Sequence, residues 1–449
     1  MARTPRVRVV VLNYDGGDMT VRCLEALRAV DWPQDSLEIV LVDNASIDGL
    51  APRVRAEMPW VHLIEHTHNV GFAGGCNLGL RELDDVDYVA LLNNDAVPDR
   101  NWLRPLVDAL EADPQLGAAS SKIVFAPTFV SLRVESPSFR PAGDGRELAV
   151  KVTGLAVDGA EVWDHAQFAD GCYTHQARGS GAEQLCWTGP VAEIRVPIDL
   201  DEPRPDAIEI ELSAERTKTV RLDAGGPGVD AEVGEEPSWH RVPLTGPTYD
   251  VINNVGSRLV LGGYGGDRGF LEPDHDQYSV PEEVFAWCGG AVLLSARYLR
   301  DVGIFDDRYF MYYEDTDLAW RGRLAGWRYE YVPDSVVRHE HAASSKEGSA
   351  LFTHFVERNR FLTLARNAPW SMFTEASYVY LRDTGVIFDR DVLRRLIHRS
   401  RPSPGLVLLR LRAYAAFVKL LPATLRTRRR QRASAADRSH LVQRWGVTR

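Results

Sequence analysis

Four short apolar segments rich in β-branched residues constrain the fold of this chain more than any other feature. They alternate with helix-like patterns over the first 126 residues and read VVVLNY, LEIVLVDNAS, VHLIEH and DYVALLNND. Continuous apolar runs of this length are typical of strands that a parallel sheet buries on both faces. We therefore predict an open, mostly parallel, doubly wound α/β sheet whose strands carry polar residues only at their ends.

The polar residues at these strand ends are candidates for ligand binding, because open α/β sheets bind ligands at the carboxyl ends of their strands. Asp43, Asn69 and Asp95 all fall at this edge. Each alone also fits an Asx turn, and the glycines of NVGFAGG match neither G-x-G-x-x-G nor a P-loop. Together they suit a nucleotide diphosphate: a carboxylate for the ribose or base, backbone N–H groups for the diphosphate, and Asp95 for Mg²⁺ or Mn²⁺.

A second polar cluster lies in the segment FMYYEDTDLAWRGRLAGWRYEYVPDSVVRHEH, residues 310–341. Three acids, Glu314, Asp315 and Asp317, precede a predicted helix, and an acidic helix cap is the simple alternative. The following predicted strand ends at His339 and His341. Carboxylate and imidazole groups at the ends of neighbouring elements are the groups that acid–base or metal chemistry requires.

Composition and charge limit where such a protein could work. The 449 residues carry a net charge of −11, yet the stretch from Arg390 to Arg449 has sixteen Lys and Arg against two acids. A basic tail on an acidic body favours an anionic membrane surface, and a merely solvated tail is the alternative. Five cysteines without metal-ligand spacing indicate reduced thiols in a cytoplasmic protein. We expect neither a signal peptide nor a membrane-spanning segment.

Between residues 127 and 249 the alternation of helix and strand stops. Short alternating strands separated by Gly, Pro and Asp predict an inserted β-sandwich or jelly-roll-like domain. Its aromatic residues either stack on sugar rings, as in a carbohydrate-binding module, or fill the sandwich core; they are Trp163, Tyr173, Trp187 and Trp239.

The order of motifs resembles the family 2 inverting glycosyltransferases, and more narrowly their bacterial rhamnosyl- and galactofuranosyltransferase-like branch. The motifs are VVVLNY, VDNAS, HNVGFAGGCN, LLNND, WCGGAVLL, FMYYEDTDLAWR and GWRYEYVPDSVVRH. The resemblance covers about residues 6–126 and 250–367. It implies a GT-A-type fold in a catalytic domain of residues 1–126 and 250–367, with a nucleotide-sugar donor and Mn²⁺ or Mg²⁺ as cofactor.

The resemblance also implies a role for individual residues. Asp315 would be the catalytic base, with Glu314 beside it, and Asp95 and His339 would bind the metal; His341 stays open as the alternative ligand. The donor would be bound by Asn13, Tyr14, Asp43, Asn69, Gly71, Phe72, Asn77, Asn93 and Asn94. The acceptor would be bound by Trp287, Gly289, Gly290 and Asp317. The first position of the family's D-x-D motif is Asn93 here, so that contact depends on a neutral amide.

The last segment, residues 368–449, predicts basic amphipathic helices. Peripheral contact with the inner face of the cell membrane and packing against the catalytic domain or a second subunit are the alternatives, while nucleic acid is disfavoured because aromatic residues are not interleaved with the basic ones.

The expected function is transfer of a sugar from a UDP- or dTDP-sugar to a glycan or lipid-linked glycan of the cell envelope. A metal-dependent nucleotidyltransferase and a non-catalytic carbohydrate-binding scaffold are the competing hypotheses. The helix FVERNRFLTLARNAP carries Arg358 and Arg360, for which contact with phosphate is the alternative and solvated charge is the expected role.

Overall fold

A computed structural model describes residues 3–141, 143, 145–174, 185–340, 349–431 and 433–446. The chain divides into two compact units. The large unit comprises residues 1–124, 252–270 and 275–449, and the inserted unit comprises residues 125–251 and 271–274.

The first part of the large unit alternates strands and helices, as the apolar runs predict. Its elements are β1 (Val7–Asn13), α1 (Gly17–Arg28), β2 (Leu37–Asp43), α2 (Leu50–Glu57), β3 (Val61–Glu65), α3 (Gly71–Gly79), β4 (Tyr88–Asn93), β5 (Ala96–Pro98), α4 (Leu103–Ala112) and β6 (Leu116–Phe125). Each of the first four strands ends close to a polar residue that the sequence singled out.

The inserted unit consists of two antiparallel sheets. Its strands are β7 (Thr128–Glu135), β8 (Lys151–Val157), β9 (Ala160–Glu161), β10 (Gln167–Phe168), β11 (Cys172–Thr174), β12 (Cys186–Thr188), β13 (Val191–Ile198), β14 (Ala207–Ser213), β15 (Lys218–Asp223), β16 (Val229–Val233) and β17 (Ser238–Pro243). The strand orders are β10-β13-β7-β15-β16 and β11-β12-β8-β14-β17, with β9 paired to β8. Alternate residues of both sheets form one aliphatic core. The ends of the unit meet, because Phe125 N donates to Val251 O at 2.9 Å.

The large unit resumes with strands and then becomes helical. These elements are β18 (Ile252–Asn254), β19 (Ser257–Val260), β20 (Tyr264–Asp267), β21 (Glu282–Glu283), β22 (Ala291–Ser295), α5 (Ala296–Val302), α6 (Glu314–Leu324), β23 (Arg328–His339), α7 (Ala350–Asn367), α8 (Trp370–Phe388), α9 (Arg394–Ile397), α10 (Gly405–Arg430) and α11 (Ala435–Trp445).

Ten strands of the large unit form one sheet, and β19 and β20 pair with each other in a separate two-stranded sheet. The order of the ten-stranded sheet is β21-β23-β6-β22-β4-β1-β2-β3, with β18 beside β6 and β5 beside β23. The strands β1 to β4 are parallel, and β6 runs in the same direction because β22 is antiparallel to both β4 and β6. Helices cover both faces: α1, α2 and α4 pack on one face, and α3, α5, α6 and α7 pack on the other. The predicted α/β fold class, with an additional β unit and C-terminal helices, is confirmed.

The C-terminal helices pack partly on the rest of the large unit. The Arg428 guanidinium donates to Ala368 O at 2.7 Å, and buried Arg438 donates to Asn367 O at 2.8 Å. Two of the basic residues of the tail therefore bind carbonyl groups at the end of α7. Among the helices that the structure describes, none has the length and apolarity needed to cross a membrane.

Candidate active site

Asn13 connects the ends of three parallel strands. The register of β1 and β2 sets Asn13 opposite Asp43, and Asn13 Nδ2 donates to Asp43 Oδ1 at 3.0 Å. On its other side, Asn13 Oδ1 accepts from Thr20 Oγ1 at 2.8 Å and from Asn94 Nδ2 at 3.3 Å. Since Asn13 is completely buried, this network fixes the orientation of the Asp43 carboxylate at the strand edge. Tyr14, the next residue, is exposed at the same edge.

The Gly-rich turn before α3 is held by two asparagines. Asn44 Nδ2 donates to Asn69 Oδ1 at 3.0 Å, and Gly71 N donates to the same oxygen at 2.8 Å. Gly71 has a φ of +75°, and a Cβ at this position would lie 2.3 Å from Phe310 O. The turn requires glycine for both reasons. It starts α3, whose first N–H groups lie at the strand edge beside Asn44.

Asp95 and His339 meet where β5 pairs with β23. The register sets His339 opposite Ala96, and His339 Nε2 lies 3.1 Å from Asp95 Oδ1. Asn93 Nδ2 also lies 3.1 Å from His339 Nε2, and His339 Nδ1 lies 3.2 Å from Asn253 Oδ1. Asn93 Nδ2 donates and Asn253 Oδ1 accepts, so these contacts fit the tautomer with the proton on Nδ1, which leaves the Nε2 lone pair for a metal ion.

This pair fits a divalent metal ion. Ligand distances to Mg²⁺ are about 2.0–2.1 Å, so two ligand atoms 3.1 Å apart can bind the same ion. The Asn253 contact to Nδ1 is the outer hydrogen bond that usually orients a metal-binding histidine. No group of three or more His, Cys, Asp or Glu side chains gathers around a common point in the part of the chain that the structure describes. Two protein ligands suit an ion whose other ligands are substrate phosphates and water.

Asp315 lies in the first turn of α6 and accepts three hydrogen bonds. Its Oδ2 accepts from Gly289 N at 3.2 Å, and its Oδ1 accepts from Thr316 N at 2.5 Å and from Thr316 Oγ1 at 3.2 Å. The neighbouring Gly290 O accepts from Asn93 N at 3.0 Å. Two consecutive glycines, which span at most about 7 Å, therefore connect Asp315 to the residues around His339.

The two acids at the start of α6 have different environments. Burial raises the pKa of Asp315, while its hydrogen bonds with Gly289 and Thr316 oppose that shift. Burial, followed by the Asp315 charge, raises the pKa of Glu314 well above its usual value. Glu314 Oε2 is buried and has no hydrogen-bond partner within the described ranges. We conclude that Glu314 is the neutral acid of the pair and that Asp315 is the one stabilised as a carboxylate.

The aromatic run before α6 has a strained backbone. Three residues without a glycine's freedom have left-handed φ values: Phe310 at 65°, Tyr312 at 65° and Tyr313 at 70°. Such strain persists only where neighbouring groups hold it, and it often occurs at functional sites. Here Phe310 O accepts from Ala73 N at 3.1 Å, which connects the run to the Gly-rich turn.

Asn359 of α7 holds this run from the opposite side. Its completely buried side chain lies within hydrogen-bond distance of three carbonyl oxygens, those of Tyr309 at 2.9 Å, Met311 at 2.7 Å and Tyr312 at 2.7 Å. Neither Asn359 nor Asn253 was identified from the sequence. An asparagine within an apolar helix or strand was the only available signal.

Three of the predicted site side chains bind groups within the fold. Asn77 Nδ2 donates to Phe305 O at 3.0 Å, and Asp317 accepts from Arg321 Nε at 2.9 Å and from Asn367 Nδ2 at 2.8 Å. Trp287 is completely buried in the core and packs near Phe305. Their proposed roles in donor or acceptor binding stay predictions. Half-buried Phe72 lies beside Gly289. His341 lies outside the described residues.

The expectation that Arg358 and Arg360 are solvated is wrong. Arg360 is 2% exposed, and its Nη2 lies 2.8 Å from Glu357 Oε2. Arg358 Nη2 donates to Tyr309 O at 2.6 Å, and burial lowers its pKa to about 10. Both arginines stabilise the packing of α7 because buried partners compensate their charge or satisfy their donors.

The aromatic residues of the inserted unit differ in how far they are buried. Trp163 packs against Phe168 and the sandwich core, with ring centroids 4.6 Å apart. Trp239 is 53% exposed and covers Gly154 of β8, while Tyr173 and Trp187 are half-buried. Sugar stacking at Trp239 stays a prediction.

Part of the chain is similar in sequence to known proteins. Residues 8–144 match the sequence profile of Glycosyl transferase family 2. Over 164 residues the chain is 31% identical to an N-acetylglucosaminyl-diphospho-decaprenol L-rhamnosyltransferase of Mycobacterium tuberculosis. This match covers 32% of this chain and 53% of that protein. A UDP-forming cellulose synthase catalytic subunit of Pseudomonas fluorescens is 28% identical over 171 residues, 37% of this chain and 22% of that protein.

Two solved structures match the chain at low sequence identity, with TM-scores below 0.5. GalNAc-T7 with UDP, GalNAc and Mn²⁺ matches with a TM-score of 0.46 and 13% identity, covering 95% of this chain and 58% of that one. The mannosyltransferase PcManGT of Pyrobaculum calidifontis, in complex with GDP-Man and Mn²⁺, matches with a TM-score of 0.42 and 16% identity. This match covers 98% of this chain and 88% of that one.

The fold and the strand-edge site define an α/β protein with a mostly parallel sheet and polar side chains grouped at the carboxyl ends of its strands. The N-terminal part of the chain, residues 8–144, carries a Glycosyl transferase family 2 domain. The chain spans about half the length of the mycobacterial rhamnosyltransferases that it matches.

Proposed function

We propose that this protein is an inverting glycosyltransferase that moves a sugar from a nucleotide-diphosphate sugar to a hydroxyl group of a glycan or lipid-linked glycan in cell-envelope polysaccharide synthesis. UDP- and dTDP-sugars are the favoured donors. The observation that carries the proposal is the continuous contact path from Asp95 through His339, Asn93 and the Gly289-Gly290 pair to Asp315. A lipid-linked acceptor is supported by the name of the mycobacterial relative, whose acceptor is a diphospho-decaprenol.

The donor would lie across the strand edge. The Asp43 carboxylate, which Asn13 orients, would accept hydrogen bonds from the ribose or base. The N-terminal end of α3 carries partial positive charge and would suit the diphosphate, although Gly71 N and Ala73 N already donate to Asn69 and Phe310. Asp95 and His339 would hold the divalent ion, which offsets negative charge on the departing diphosphate.

Asp315 is the proposed catalytic base. Its carboxylate would take the proton from the acceptor hydroxyl as that oxygen attacks the anomeric carbon, and the diphosphate would leave from the opposite face. One displacement of this kind inverts the anomeric configuration. A positioned base typically contributes about 10²–10⁴-fold to the rate. The neutral Glu314 beside it keeps a second negative charge away from the attacking oxygen.

A transfer assay with Asp315→Asn tests the proposal. The assay offers UDP- and dTDP-sugars in the presence of Mn²⁺ and follows product formation on a lipid-linked N-acetylglucosamine acceptor. We expect the variant to lose at least about 10²-fold in kcat, while a thermal shift with UDP or dTDP shows unchanged nucleotide binding. Asp301→Asn, which changes an acid on α5 that binds Trp327 Nε1, is the matched control and should remain active. Undiminished transfer by Asp315→Asn would remove Asp315 as the base.

A further inference from the structure

The far end of the α8–α10 helical hairpin exposes an unusual number of apolar side chains. We call residues 386–412 the hairpin tip. Of the 22 large apolar side chains that are exposed in the described chain, eight lie in the tip: Val386, Phe388, Leu393, Leu396, Ile397, Leu406, Leu408 and Leu411. Ile397 is 76% exposed. Soluble surfaces rarely concentrate apolar groups in this way without a binding partner.

The same segment is strongly basic. It contains seven arginines, one of which, Arg410, is bonded to Thr384 at the base of the hairpin, against two aspartates. Both aspartates are already bonded locally, Asp389 to Arg394 at 2.7 Å and Asp391 to Arg390 at 2.8 Å. Arg395 and Arg399 are exposed among the apolar residues. The tip therefore combines apolar contact area with net positive charge.

The base of the hairpin is rigidly held, which distinguishes it from the tip. Arg410 Nε donates to Thr384 Oγ1 at 2.8 Å and Arg410 Nη2 donates to Tyr380 O at 3.0 Å, while Tyr380 stacks on Tyr414 with ring centroids 6.0 Å apart. Beyond this point, residues 393–406 are exposed throughout. The hairpin presents its tip on a fixed support.

We propose that the hairpin tip docks on an anionic lipid surface, with its apolar side chains in the headgroup region and its arginines on lipid phosphates. Apolar residues interspersed with arginine are the composition that binds such surfaces peripherally. A second copy of this chain fits less well, because a symmetric contact would bring two arginine-rich tips together. Arg428 and Arg438 face inward onto α7, so the docking surface is the tip and not the whole basic tail.

Vesicle co-sedimentation of the full chain tests this proposal without a sugar donor, so its outcome is independent of transfer activity. The probes are phosphatidylcholine vesicles with and without phosphatidylglycerol. We expect binding only to the anionic vesicles, weakened by salt. The double variants L396D/I397D and R395E/R399E should each reduce binding at least about tenfold.

Leu200→Asp, an exposed leucine of the inserted unit, is the matched control and should bind like the parent chain. Unchanged thermal unfolding of all variants would show that the exposed substitutions leave the fold intact. Equal binding to neutral and anionic vesicles, or full binding by both double variants, would overturn the proposal. An oligomer that L396D/I397D converts to monomers would assign the tip to self-association instead.

Discussion

Replacing Gly71 with alanine tests the contact between the Gly-rich turn and the strained run that precedes Asp315. The new Cβ would lie 2.3 Å from Phe310 O, whereas ordinary contacts begin at 3.4 Å. The two backbones must therefore separate by about 1 Å, and this weakens the hydrogen bond from Ala73 N to Phe310 O.

The expected loss of stability follows from these contacts. A left-handed φ costs alanine about 1–2 kcal/mol relative to glycine, and a lost backbone hydrogen bond costs about 1 kcal/mol. We expect Gly71→Ala to lower the free energy of unfolding by about 2–3 kcal/mol. Because a displacement of about 1 Å can misplace a reacting group, we expect kcat to fall by about 10²-fold.

Gly49→Ala is the matched control for this experiment. Gly49 has nearly the same φ, +77°, but no atom lies within 4 Å of the position that a Cβ would occupy. This variant should show the backbone cost of about 1–2 kcal/mol alone and keep its kcat. Urea unfolding and initial-rate kinetics measure both variants. If Gly71→Ala is no less stable and no slower than Gly49→Ala, the close approach to Phe310 has no energetic or catalytic importance.

Three further predictions concern the base, the strained run and the metal pair. Burial raises the pKa of Asp315 above 3.8, and the base must be deprotonated, so kcat/KM should fall as the pH drops through that raised pKa; a profile without an acidic limb would argue against Asp315. Asn359→Leu removes the donor to three carbonyl groups and should cost about 2–4 kcal/mol of stability in urea, with Asn359→Asp at least as damaging; an unfolding midpoint like that of the parent chain would contradict the clamp. EDTA should abolish transfer. Asn253→Ala removes the acceptor for His339 Nδ1 and should raise the Mn²⁺ concentration for half-maximal activity by about 10–100-fold. An unchanged metal requirement would count against the Asp95–His339 pair.

The sheet and the polar residues at the carboxyl ends of its strands could be predicted from the sequence, because both depend on local patterns. Continuous apolar runs, without alternation of apolar and polar residues, identify strands that are buried on both faces of a parallel sheet. The register of the adjacent strands β1 and β2 then brings Asn13 and Asp43 together. The position of His339 opposite Ala96 needed the antiparallel pairing of β5 with β23, which no local pattern encodes.

Buried polar contacts between distant segments were beyond the reach of the sequence. Asn359 binds carbonyl groups about fifty residues earlier in the chain, so its role depends on the packing of α7. Arg360 was assigned to the surface because arginine is rarely buried, but its ion pair with Glu357 compensates the buried charge.

The insertion point of the second unit has a consequence for how the chain acquires its shape. Asp95 precedes the inserted unit and His339 follows it, so their contact joins two segments that lie far apart in the sequence. Joining Val124 to Ile252 through 127 unstructured residues would carry a closure entropy of about 4 kcal/mol. A sandwich that has already formed, with Phe125 bonded to Val251, holds those two ends together in advance. Early formation of the inserted unit would therefore reduce the entropic cost of bringing the two parts of the large unit together.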